Sequence, residues 1–173
     1  MIKLSSAYLS GKEIDAVAAV FKDNYFGMGK KVHQFENSLS SFFGREAVCV
    51  VNGTSALHLA CQSIGLKEGD EVLVPSFTYV ASFQAIKATG ADPIACDVEE
   101  DSLTLSLESL KNKFSKNTKA IMPVHYAGSA GKLDLIYQFA KEKNLRVIED
   151  AAHAFGSSYK ENKIGSFGDI ACF

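Results

Sequence analysis

KLDLIYQFAKEKNLRVIED, residues 132–150, sets one helix-like segment directly against one strand-like segment. KLDLIYQFAKEKN (132–144) reads as a helix. LRVIED (145–150) reads as a buried strand whose apolar pair Val147-Ile148 runs straight into two adjacent acids. The same alternation extends toward the N-terminus. AVCVV (47–51) is a continuous apolar run and predicts a strand; TSALHLACQSIG (54–65) predicts a helix stopped by Gly65. GDEVLVP (69–75) predicts a second strand ended by Pro75, VASFQAIKATG (80–90) a helix closed by Gly90, and DPIACDV (92–98) a strand. SLESLKNKF (106–114) is a short helix and KAIMPV (119–124) a strand. Alternation of this kind with short loops implies an α/β fold, a mainly parallel sheet flanked by helices on both faces.

Around that core, GKEIDAVAAVF (11–21) and VHQFENSLSSFF (32–43) are amphipathic and flank the loop NYFGMGKK, while YKENKIGSFGDIACF (159–173) predicts a turn and one or two further strands. The 173 residues suit one domain with a sizeable core; 47% are hydrophobic and 22% charged, as in an ordinary globular protein. A net charge of −2 carries no basic excess, which argues against a nucleic-acid partner. MIKLSSAYLSGKE lacks the apolar core of a signal peptide, and no apolar run approaches the roughly 20 residues that span a bilayer. A cytoplasmic protein without a membrane partner is expected. Cys49, Cys61, Cys96 and Cys172 are scattered, form no CxxC pair, and read as reduced core thiols.

Three motifs fall where strands end. In NGTSALHLA, Thr54 or Ser55 can cap the following helix, whose first amides have no internal partners. Free amides, small hydroxyls and the helix dipole suit a phosphate, although an Asn52–Gly53 turn with a simple cap would produce the same letters. PSFTYVAS follows the second strand, and Tyr79 or Phe77 there can stack on a flat ligand or pack as an ordinary aromatic. EDAAHA ends the 145–150 strand. Burying its acids is costly unless something positive sits beside them. Asp150 and His153, three apart, converge if a helical turn begins there. A divalent metal held with His125 of PVHYAG, a nucleophilic triad, or a protonated aromatic nitrogen would each account for them. The triad lacks a G-x-S-x-G serine elbow. A phosphate cradle, an aromatic slab and a buried aspartate at one sheet edge match a single ligand, pyridoxal 5′-phosphate. No G-x-G-x-x-G opens the first helix, which disfavours a Rossmann dehydrogenase.

FGMGKKVHQFENSLSSFFG, VVNGTSALHLA, GDEVLVPSFTYVAS, KAIMPVHYAG, VIEDAAHAFGSSYKENKIG and GDIACF, in this order and spacing, resemble the DegT/DnrJ/EryC1/StrS aminotransferases, which act largely on nucleotide-linked keto sugars. The resemblance implies the large domain of the aspartate aminotransferase type, residues 1–173 forming its N-terminal portion, and a homodimer or higher oligomer. It implies that Thr54 and Ser55 hold the cofactor phosphate, that Tyr79 stacks on the ring, that Asp150 pairs with the pyridinium nitrogen, and that His153 lies beside the phenolic oxygen. Gly27 to Lys30 resemble a segment near the substrate and dimer interface. Family members carry their Schiff-base lysine shortly after a GDIACF-like strand, past Phe173, and neither Lys160 nor Lys163 matches that position. The expectation is therefore a truncated, inactive chain with no catalytic lysine and no C-terminal small domain. Its parent would move an amino group from a donor such as glutamate to a keto sugar. A sugar dehydratase of the same family and a non-catalytic interaction module are the alternatives.

Overall fold

The computed structural model describes residues 7–173, so the start of MIKLSSAYLSGKE, read above for a leader, lies partly outside the described residues. Two helices come first, α1 (Gly11–Asp23) and α2 (Lys30–Phe43). Then follow α3 (Gly53–Ser63), β1 (Glu71–Pro75), α4 (Val80–Lys87), β2 (Asp92–Cys96), α5 (Leu107–Lys113), β3 (Thr118–Ile121), α6 (Leu133–Lys143) and β4 (Arg146–Asp150). A two-stranded hairpin, β5 (Ser158–Tyr159) with β6 (Asn162–Lys163), precedes β7 (Ile170–Cys172).

Five strands form one parallel sheet in the order β2-β1-β3-β4-β7. Alternating side chains divide the core between its faces. Val72, Val74, Ala120, Met122 and Ile148 pack under α3 and α4; Leu73, Ile121 and Val147 pack under α5 and α6. Each fully buried Leu or Ile among them contributes about 1.5–3 kcal/mol, so burial on both faces outweighs local propensity. From β1 the chain moves to one side to make β2, then returns to make β3 on the other side. The segments leaving β1 and β3 therefore diverge, and they open a crevice at the carboxyl end of the sheet.

One expected strand does not form. Residues 47–51 are assigned to no strand, although burial alternates along them. Among the described residues they pair with no strand, although the edge strand β7 lies across a groove from them. Two of the local amides turn instead to α2 side chains: Ala47 N–H donates to Ser40 Oγ at 3.0 Å and Cys49 N–H to Glu36 Oε1 at 2.9 Å. A β-branched run favours extended backbone, but a ladder needs a partner. The region between this run, α2, α3 and β7 is a groove of about 760 Å³.

Candidate active site

The crevice between the β1 and β3 segments holds a cavity of about 440 Å³. Thr54 enters it from the start of α3, Phe77 and Tyr79 from the loop after β1, Tyr126 from the segment after β3, and Asp150 and His153 from the end of β4. Four of the five residues expected to bind a cofactor thus meet in one place. Ser55 is not among the lining residues. Neither Thr54 nor Ser55 caps α3: the N-cap is Asn52, whose Oδ1 accepts the Ser55 N–H at 2.9 Å. Asn52 sits where the backbone is still extended, so its short side chain reaches forward to the amides, which a residue already inside the helix cannot do. The amides of Gly53 and Thr54, both at the cavity, have no acceptor among the described residues.

The two adjacent acids part company. Side chains alternate along β4, so Glu149 points toward α6 and Asp150 toward the cavity. Asp150 is 5% exposed. Its Oδ2 accepts the Ser82 hydroxyl at 2.8 Å and its Oδ1 the Ala152 N–H at 3.3 Å. Ser82 lies on α4 in contact with the Thr78 hydroxyl at 2.8 Å, so the loop after β1 orients the carboxylate. No lysine, arginine or histidine pairs with Asp150 among the described residues. A buried carboxylate with neutral partners and no protein cation has room in its surroundings for a cationic group.

The metal reading of His125 fails on geometry. Its ring turns to Glu149, Nε2 to Oε2 2.6 Å, away from Asp150 and His153. Among the described residues no group of three metal-binding side chains comes together. No helix starts after Asp150; a turn closed by Ala154 N–H to Ala151 O at 2.8 Å brings His153 round to the cavity instead. The Ala127 N–H lies 3.4 Å from His153 Nδ1, which in the neutral ring leaves Nε2 as the donor. Tyr126 escaped the sequence reading. Its ring packs against Phe77 at 4.7 Å and against His153 at 6.0 Å, completing an aromatic wall. Its place directly after His125 in PVHYAG was the available signal. Cys172 also lines the cavity, but burial pushes its thiol up to about 12, so it packs as a neutral apolar group.

Residues 8–173 match the DegT/DnrJ/EryC1/StrS aminotransferase family. The chain belongs to that family. Among the family's members, GDP-perosamine synthase of Escherichia coli O157:H7 is 43% identical over 167 residues, covering 95% of this chain and 46% of that protein. The dTDP-4-dehydro-2,3,6-trideoxy-D-glucose 4-aminotransferase of Saccharopolyspora spinosa is 38% identical over 174 residues, covering 99% of this chain and 45% of that protein. Spr1654 from Streptococcus pneumoniae, solved in its PLP form, superposes with a TM-score of 0.94 at 29% identity, covering 98% of this chain and 47% of that one. The chain spans about half the length of these relatives. Pyridoxal phosphate is the family's cofactor, and PMP-bound members share the fold. No described helix is long and apolar enough to cross a membrane.

Proposed function

We propose that this chain carries the cofactor cavity of a cytoplasmic, homodimeric aminotransferase that moves an amino group from an amino acid donor such as glutamate to a nucleotide-linked keto sugar. One observation carries the reading: among the described residues, Asp150 is a buried carboxylate without a protein cation, in the same cavity as the unpartnered amides of Gly53 and Thr54. That arrangement fits a ligand with a cationic ring nitrogen and a phosphate. The roughly 440 Å³ available suits a molecule of that size.

Thr54 and the leading amides of α3 would hold the phosphate, with Ser55 contributing through the capped first turn. Tyr79, 76% exposed, would lie over the ring, and His153 Nε2 would donate to its phenolic oxygen. Asp150 would keep a proton on the ring nitrogen by a charge-assisted hydrogen bond. The bound cofactor supplies an electron sink for the pair left behind when a proton leaves the amino-bearing carbon. The aromatic wall of Phe77 and Tyr126 would give one side of the cavity an apolar lining. Asp150→Asn is expected to weaken pyridoxal phosphate binding by about tenfold or more, the value of a hydrogen bond to a charged group. No lysine lines the cavity among the described residues, so borohydride treatment of the loaded 173-residue chain should leave no covalent adduct there. Equal affinity of wild type and Asp150→Asn would sink the reading.

A further inference from the structure

Glu149, the other acid of the pair, plays no part in the proposal above, yet it is completely buried and fully engaged. We propose that Glu149, His125 and Tyr137 form a positioning unit that aims the Asp150 carboxylate at the ring nitrogen, an inference that rests on the cofactor reading of the cavity. His125 Nε2 meets Glu149 Oε2 at 2.6 Å, and the Tyr137 hydroxyl donates to Glu149 Oε1 at 2.5 Å. Burial holds the Tyr137 phenol far above its ordinary range, so it remains a neutral donor. His125 grips β4 twice. Its ring holds residue 149, while its main-chain N–H donates to the Asp150 carbonyl at 3.0 Å; the Asp150 N–H in turn donates to Pro123 O at 2.9 Å. Rotation or slippage of the β4 end would break the side-chain and main-chain bonds together.

The unit is anchored from behind. Tyr137 Oη accepts the Asp169 N–H at 3.0 Å, and the Asp169 carboxylate is bound by Arg146 Nε at 2.6 Å and Nη2 at 2.7 Å. Gly168 leaves the space this needs, since a Cβ there would meet Tyr137 Oη and Glu149 Oε1. Helix α6, the segment after β3 and the approach to β7 thus converge on one carboxylate next to the one that faces the cavity. An apolar side chain at 149 would fill this core without the cost of burying a charge. What the polar network adds is a single geometry. Three residues left over from PVHYAG, EDAAHA and GDIACF, namely His125, Glu149 and Asp169, find their use here.

Pyridoxamine 5′-phosphate, which needs no lysine, and its analogue with carbon in place of the ring nitrogen separate positioning from mere stability. The wild-type chain should prefer the nitrogen-containing ligand by about tenfold or more. Glu149→Gln and the milder Tyr137→Phe should lose most of that preference and approach Asp150→Asn, while binding the carbon analogue as wild type does. Thermal midpoints and far-UV circular dichroism identify which variants are folded, and Tyr137→Phe keeps the test open if Glu149→Gln is not. Retention of the wild-type preference by the folded variants, or equal losses for both ligands, would overturn the positioning role. A wild type without preference would instead overturn the cofactor reading beneath it.

Discussion

Asp150 and Glu149 are neighbours in sequence and the same kind of group, yet the pleat of β4 sends one to the cavity and the other to a buried histidine. The Ser82 hydroxyl is the strongest support for the first. Ser82→Ala should weaken pyridoxamine phosphate binding by roughly tenfold, the scale of a hydrogen bond to a charged acceptor, read by fluorescence titration. The Arg146 guanidinium beside Asp169 holds that carboxyl below its usual range, against an opposing effect of partial burial. A lowered folded-state value means the contribution is complete above the ordinary aspartate range, near about 4, and is lost as pH falls through the lowered one. Thermal midpoints of wild type should therefore fall through that acid window, and Asp169→Asn should flatten the slope; an unchanged slope would mean that the pair contributes nothing.

At the scale of elements, α3 shows how one cap sets which amides face the cavity. With Asn52 Oδ1 taking the Ser55 N–H, the Gly53 and Thr54 amides have no partner among the described residues and lie beside the cavity. Asn52→Ala should cost about 1 kcal/mol of stability in urea denaturation and lower phosphate affinity with it. The helices and buried strands from α3 to β4 were legible because their apolar spacing agrees with the burial they reach. The cap was misplaced by two or three residues because Asn, Thr and Ser are all good N-caps, and only backbone direction decides among them. AVCVV was misread for a different reason: extended preference lies in the residues themselves, but pairing lies in a neighbour. Cys172 and the β5–β6 hairpin belong to the YKENKIGSFGDIACF stretch, whose turn and strand were visible without their pairing.

For the molecule as a whole, α1 has its local signals and no core. Its Ser10–Glu13 capping box is complete, but none of its residues is buried, and Ile14, Val17 and Phe21 are exposed. An apolar stripe of this kind calls for a covering surface, consistent with the proposed homodimer. Ile14→Glu with Val17→Glu should shift the sedimentation coefficient of the chain from dimer to monomer without loss of helical signal; a wild type already monomeric at micromolar concentration would remove the basis for assembly through α1. The crevice itself is a whole-molecule property, because it lies where the strand order switches sides between the parallel strands β1 and β3.

The parallel α/β class, the turn that opens α3, the aromatic after β1 and the acid–histidine pair were legible in sequence alone, since each depends on spacing within a few residues. Tertiary structure alone decided which acid faces the cavity, that Asn52 is the cap, that His125 pairs with Glu149, and that Tyr126 joins the wall. Those outcomes turn on which groups from distant segments share a face, and local spacing carries no record of the neighbour across the sheet.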